Sequence, residues 1–196
     1  MNDDRPWLVV GLGNPGEGYA RTRHNVGAMV VERLCERFGA RLRKVRFSAV
    51  LAAEAKHEGI PLILARSGAW MNEGGPPIAS FAKRRGIPVT RLVACHDEMD
   101  LPFGALRVKG GGGTAGHHGL DSLVTAFRSN DFYRVRIGVG RPPSRDRGVD
   151  HVLDAFPKRQ QKDLAVLVEE AADAVLVLVR EGLPTAQERF NRNSLG

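Results

Sequence analysis

Leu8-Val9-Val10-Gly11-Leu12-Gly13-Asn14-Pro15-Gly16-Glu17-Gly18-Tyr19-Ala20-Arg21-Thr22-Arg23-His24-Asn25 decides how the chain is read. An apolar run ends in glycines and a proline, and an amphipathic helix starts only near Asn25. That pattern is a strand delivering a loop to the end of a sheet, where α/β proteins keep their sites. The loop is dense in polar side chains: Asn14, Tyr19, Arg21, Arg23, His24 and Asn25. Gly11, Gly13 and Gly16 also match the G-x-G-x-x-G pattern of dinucleotide folds. In such folds a helix starts inside the glycine run and its N-terminus faces the pyrophosphate. Here Pro15 and Gly18 interrupt any such helix. No strand-end acid stands about twenty residues on, so no dinucleotide cofactor is expected.

Outward from this loop, the elements alternate. A helix is predicted from Asn25 to Phe38, with Val26, Val30, Leu34 and Phe38 on one face, Asn25 as cap and Gly39 as stop. Arg41, Arg43, Lys44 and Arg46 form a basic segment. Phe47 to Ala55 and Ile60 to Ala65 read as a hairpin around Glu58-Gly59. A helix over Pro76 to Arg85 follows, then a buried strand Leu92 to Cys95 that runs into His96-Asp97-Glu98-Met99-Asp100. Leu106 to Lys109 is a short strand feeding the glycine run 110–119, expected to be mobile or to expose its backbone. A helix with Leu120, Leu123, Val124 and Phe127 comes next, then a strand from Tyr133 to Val139. Residues 140–150 are expected to be a surface loop. The longest helix is predicted from Pro157 to Arg180, with Leu164, Leu167, Val168, Ala171, Val175 and Val179 facing the core. A last helix runs from Pro184 to Phe190. The expected fold is α/β: one three-layer domain over residues 1–196, a mixed β-sheet flanked by helices.

The chain has 196 residues, 42% of them apolar, which is enough for a substantial core. No apolar run approaches a bilayer span, and Met1-Asn2-Asp3-Asp4 is acidic where a signal peptide is basic. No membrane association and a cytoplasmic location are expected. Cys35 and Cys95 form neither a disulfide framework nor a metal pattern, and read as buried free thiols. The balance of 29 basic against 22 acidic residues, net +7, suits a polyanionic partner.

Four polar clusters stand at strand ends or in glycine loops: Asn14 to Asn25, Trp70-Met71-Asn72, His96-Asp97, and the glycine run with His117 and His118. A histidine can take a proton from water near neutral pH. A carboxylate such as Asp97 can fix its tautomer and stabilise the imidazolium. Amides such as Asn14 and Asn72 can donate to a developing oxyanion. There is no G-x-S-x-G elbow and no zinc-type spacing. These residues point to hydrolysis by a His-activated water, without a metal.

The same residues carry a resemblance. Gly11-Leu12-Gly13-Asn14-Pro15-Gly16, Tyr19 and Thr22-Arg23-His24-Asn25 resemble the signature of bacterial-type peptidyl-tRNA hydrolases. Met71-Asn72, His96-Asp97-Glu98-Met99-Asp100-Leu101-Pro102, Gly111-Gly112-Gly113, Gly116-His117 and Arg134-Val135-Arg136-Ile137-Gly138 are similar to that family's later blocks, in order, from about Trp7 to Asn191. The resemblance implies a carboxylic ester hydrolase that releases tRNA from prematurely released peptidyl-tRNA, with no metal or cofactor, as a monomer. It implies that His24 is the catalytic base, Asp97 its partner, and Asn14 and Asn72 the groups that position substrate and water. Tyr19 and Met71 would line the cleft, and Lys109 and Arg136 would hold the tRNA 5′ phosphate. One departure stands out: the family's His-Asn-Gly reads His117-His118-Gly119 here, so His118 takes a substrate-binding Asn position. The alternative is a non-catalytic RNA-binding relative on the same scaffold.

Overall fold

The computed structural model describes residues 4–142, 144 and 148–191. Residues 1–3, on which the signal-peptide reading rests, and part of the expected 140–150 loop lie outside them. Seven strands form one sheet: β1 (Trp7–Gly11), β2 (Arg43–Lys44), β3 (Val50–His57), β4 (Ile60–Ser67), β5 (Leu92–Glu98), β6 (Leu106–Gly110) and β7 (Tyr133–Gly138). Their spatial order is β2-β3-β4-β1-β5-β7-β6. β4, β1, β5 and β7 are parallel, while β2, β3 and β6 pair antiparallel at the two edges. The four central strands are Val-, Leu- and Ala-rich because both of their faces are covered.

Helices α1 (Val26–Arg37), α5 (Gln161–Glu181) and α6 (Leu183–Phe190) cover one face. Val30, Val31 and Leu34 of α1 meet Val9, Val93 and Cys95 there, together with Leu167, Ala171 and Val175 of α5. Helices α2 (Gly75–Arg84) and α3 (His118–Phe127) cover the other, where Ile78, Phe81, Leu120 and Leu123 meet Leu8, Val10, Ile63 and Ala94. The α/β class, the mixed sheet and its flanking helices are as the sequence predicted. All six residues assigned to the core face of α5 are buried. Cys35 and Cys95 are buried and free, and burial pushes their thiols up to about 11 and about 12. No helix among the described residues is long and apolar enough to cross a membrane.

Several boundaries differ from expectation. β5 continues through His96, Asp97 and Glu98, all buried, so the polar cluster lies within the strand and not past its end. The hairpin strand starts at Val50, and Phe47 is a turn residue. A short helix α4 (Gly148–Leu153) ends the segment that the sequence presents as loop throughout. The long helix starts at Gln161, after a 3₁₀ turn over Lys158–Gln160. α1 does use the expected register, but Asn25 makes no side-chain cap bond.

The glycines of the first loop serve packing. A Cβ on Gly27 would stand 2.0 Å from the Cys95 carbonyl oxygen, and one on Gly11 would stand 2.4 Å from that of Gly27. α1 therefore rests directly on the ends of β1 and β5. Leu12 N–H donates to Cys95 O at 3.0 Å and Ala28 N–H to Leu12 O at 3.1 Å. Helix α1 leaves β1 on one face and α2 leaves β4 on the other, which opens a crevice beyond the carboxyl ends of β1, β4 and β5.

Candidate active site

That crevice holds a cavity of about 400 Å³. Its wall includes Asn14, His24, Met71, Asn72, Asp97 and His117, with Glu98, Trp70 and His118 around them and Val149, Val152 and Leu153 of α4 along one side. His24 belongs to the 3₁₀ turn Arg23–Asn25 that leads into α1. Thr22 fixes the preceding turn by donating to Tyr19 O through both its N–H, at 3.0 Å, and its Oγ1, at 2.8 Å. Arg23 turns away from the cavity and donates to the carbonyls of His151, Asp154 and Ala155, each at 3.2 Å. It therefore joins this loop to the end of α4.

Asp97 is the hub. Its side chain is only 3% exposed, and its Oδ1 meets His24 Nδ1 at 2.8 Å and His117 Nε2 at 2.9 Å. Burial would raise its carboxyl, but the two imidazoles, His117 first, outweigh burial and hold it well below the usual carboxylate range. As an ionised acceptor it accepts a hydrogen bond from one ring N–H of each neighbour. His24 then carries its proton on Nδ1 and leaves Nε2 as an acceptor. His117 has no freedom either: its Nδ1 accepts from Gly119 N–H at 3.1 Å and Leu120 N–H at 3.3 Å, capping α3. Its ring proton must sit on Nε2. Burial lowers His117, and Asp97 more than restores it, so the net direction is upward. A second proton on Nδ1 would nonetheless have to break both capping bonds.

His24, Asp97 and His117 bring three ligand-type atoms within 4.8 Å of one another. A metal on His117 Nε2 would need the ring proton moved to Nδ1, where two backbone N–H groups already point. Metal-bound histidines donate from their second nitrogen, and this one accepts. The donor set suits a proton network and does not fit an ion.

A second network fixes the amides. Asn25 Oδ1 accepts from Asn14 N–H at 2.9 Å, and its Nδ2 donates to Asn14 O at 2.9 Å. This two-point clamp replaces the helix cap expected of Asn25. Asn14 Oδ1 in turn accepts from Met71 N–H at 2.9 Å, which leaves its Nδ2 as the donor available to the cavity. Met71 is buried in the wall, while Asn72 beside it is exposed at the mouth. Tyr19 packs edge-on against Trp70 at 5.6 Å between centroids, and it is Trp70 that lines the cavity. His118 is exposed at the first residue of α3 and also lines it.

Lys109 and Arg136 lie outside the cavity wall. They share one sheet face with Arg134, since Lys109 pairs with Arg134 and Arg136 with His96. Arg136 donates through Nε and Nη2 to Glu98 Oε2, at 3.1 and 3.0 Å. Lys109 is exposed and folds over the glycine run, where a Cβ on Gly112 would be 2.6 Å from its Nζ. That run exposes its backbone as expected, but inward: Arg134, 2% exposed, donates to the Gly112 and Gly113 carbonyls. The expected mobile loop is pinned, because a buried guanidinium without a carboxylate needs acceptors. The sequence reading placed His117 in a polar cluster but did not foresee its bond to Asp97 or its capping of α3, and it gave Arg134 and the clamp of Asn25 no part in building the site.

Comparisons with known proteins agree on a family. A family model described as peptidyl-tRNA hydrolase matches residues 8–195. The chain is 47% identical to a peptidyl-tRNA hydrolase of Frankia casuarinae over 96% of this chain and 95% of that one. It is 46% identical to one of Nocardia farcinica over 95% of this chain and 96% of that one. Among solved structures it is similar to a peptidyl-tRNA hydrolase complex with N-propanol, at TM-score 0.92 and 33% identity over all of both chains. It is also similar to the peptidyl-tRNA hydrolase of Acinetobacter baumannii, at TM-score 0.91 and 34% identity over 99% and 98% of the two chains.

His96 supplies a test of how the site is buried. Its Nδ1–H donates to Asp97 O at 2.7 Å, its Nε2 has no partner among the described residues, and its ring stands 5.0 Å from that of His117. Burial, assisted by His117, pushes its pKa down to about 3. An unfolded histidine titrates near 6.5, so as pH falls the unfolded chain takes up this proton first. The stability contributed by neutral His96 is present above about pH 6.5 and is lost as pH falls toward 3. Between about pH 6.5 and about pH 4.5 the unfolding free energy of the parent should fall by about 2 kcal/mol more than that of His96→Asn. Urea denaturation at the two pH values measures this, and parallel losses would contradict it.

Proposed function

The chain belongs to the peptidyl-tRNA hydrolase family and hydrolyses the ester between peptide and tRNA; from that premise we propose that His24 activates the attacking water. The supporting observation is the 2.8 Å contact of His24 Nδ1 with Asp97 Oδ1, which leaves Nε2 as the free base in a residue that lines the cavity. Nε2 takes a proton from water as the oxygen attacks the ester carbonyl. The imidazolium so formed is stabilised by Asp97. It then returns the proton to the departing tRNA oxygen, so that free peptide acid and tRNA hydroxyl result. Asn14 Nδ2 donates to the developing oxyanion, where a held donor contributes most. Asn72 and His118 at the mouth, with Met71 and Tyr19 behind them, orient the peptide side. Lys109 and Arg136 receive the 5′ phosphate, a role for which Arg136 must share its charge with Glu98.

We read residues 1–196 as one domain that acts in the cytoplasm as a monomer, without metal or cofactor. A purely RNA-binding role has no use for a base held on a buried carboxylate beside a cavity, so that alternative is not favoured.

Turnover of purified peptidyl-tRNA tests these roles as a panel. His24→Ala should lower kcat by roughly two to four orders of magnitude while tRNA binding persists. Asp97→Asn should fall less, because it orients and stabilises. His118→Ala should lower turnover, while His118→Asn keeps it. Lys109→Ala and Arg136→Ala should weaken binding only when the tRNA carries its 5′ phosphate. Near-normal turnover by His24→Ala would remove it as the base. Equal losses without the phosphate would place Lys109 and Arg136 against another part of the tRNA.

A further inference from the structure

The hairpin at one edge of the sheet carries chemistry that the hydrolytic site does not use. β2 and β3 are joined by a tight turn: Val45 N–H donates to Val50 O at 2.8 Å, and Ser48 N–H to Val45 O at 3.2 Å. At its tip Phe47 has φ 56° and is 89% exposed. A bulky non-glycine residue in the left-handed region is unfavourable. A phenyl ring in water also forgoes the stabilisation of burial. Within the chain its companion is the Arg46 guanidinium, 4.6 Å from the ring centroid.

Arg41, Arg43, Lys44 and Arg46 are all exposed, and none has a carboxylate partner among the described residues. Arg33, Arg37, Arg66 and Arg85 elsewhere are each paired with an acid. The hairpin is thus a cluster of uncompensated positive charge around a presented aromatic face.

Its place in the fold is the second observation. Val50 pairs with Ser67 at the carboxyl end of β4, and Gly68 N–H donates to Ala49 O at 2.6 Å. Phe47 therefore stands at the same end of the sheet as the loop that carries Trp70, Met71 and Asn72. Phe47 is only two positions from Ala49, and Met71 is three positions from Gly68. At about 3.6 Å per residue, the tip lies no more than about 25 Å from the cavity wall.

We propose that this hairpin is a second contact for the tRNA, gripping the acceptor arm upstream of its CCA end. Arg43, Lys44 and Arg46 lie against backbone phosphates, and Phe47 stacks on a base at the open end of the acceptor stem. The proposal rests on peptidyl-tRNA being the substrate. Unpaired cations around an exposed ring are the combination that holds nucleic acid near single-stranded ends: charge tracks the backbone and the π-face accepts any base. A single ring on a turn buries too little to anchor a lipid surface. The crevice with His24 and the hairpin tip both lie toward the carboxyl ends of the parallel strands, so one RNA end can reach both.

The test compares the parent, Phe47→Ala and the triple variant Arg43→Gln/Lys44→Gln/Arg46→Gln on two substrates. One is full peptidyl-tRNA, and the other is a peptidyl ester of the CCA trinucleotide. On the full tRNA, KM should rise about tenfold for Phe47→Ala. For the triple variant the salt dependence of log kcat/KM should flatten by about two units. The kcat on full tRNA, and all turnover of the trinucleotide ester, should stay at the parent's values. Unchanged KM on full tRNA would overturn the proposal, as would equal losses on both substrates. A parent that cleaves neither substrate would overturn the function itself, an outcome distinct from a normal parent with unaffected variants.

Discussion

One carboxylate oxygen accepting two imidazole protons organises this protein. Asp97 is buried in the central strand β5, where an unpaired charge would be costly. His24 and His117 remove that cost, and each is fixed by doing so. The oxygen thereby ties together three separate pieces of chain: the turn before α1, the end of β5, and the N-terminus of α3. Cutting one partner from such a buried set typically costs about 3 to 5 kcal/mol, since it strands the remainder. The same bonds that stabilise the fold choose the tautomer of His24, the base proposed above, so on that proposal stability and reactivity depend on one arrangement.

The backbone around this oxygen is held just as closely. Gly11 and Gly27 let α1 lie directly on β1 and β5, and that contact brings His24 and Asn25 to the mouth of the crevice. Asn25 then grips both backbone groups of Asn14, and Asn14 grips Met71. Among the described residues the side-chain amide groups of Asn14 and Asn25 all have partners except Asn14 Nδ2, which is left as a donor toward the cavity. On the far side Arg134 draws the glycine run inward, which sets where His117 can reach Asp97. The positioning is done by uncharged amides and one buried cation, with α4 and Trp70 supplying the apolar walls.

Much of this was legible in the sequence. Period-3.6 patterns place α1, α2 and α5 within a few residues of their observed bounds, and apolar runs place β1, β4 and β7. The polar clusters at strand ends flag His24, Asp97, Asn14 and Asn72 because such side chains are costly where apolar elements meet. Other features depended on tertiary contact and had no local signal. Asn25 looks like a helix cap, and only the approach of Asn14 diverts it. The glycine run reads as loose until Arg134, 21 residues after Gly113, supplies its donors. His96 and Asp97 look like residues past a strand, because an apolar pattern cannot show that β5 stays paired with β7 through Glu98. α4 is short and begins at Gly148, so it carries too little periodicity to be seen.

Asp97 thus sets opposite tautomers in two neighbouring histidines. Long-range ¹H–¹⁵N correlation spectra of the imidazole rings, recorded on the free protein near neutral pH, measure this directly. Neutral His24 should carry its proton on Nδ1 with Nε2 bare, and His117 should carry its proton on Nε2 with Nδ1 accepting. A neutral His24 protonated on Nε2 would overturn this arrangement, because the nitrogen proposed as the base would then have no free electron pair with which to take a proton from water.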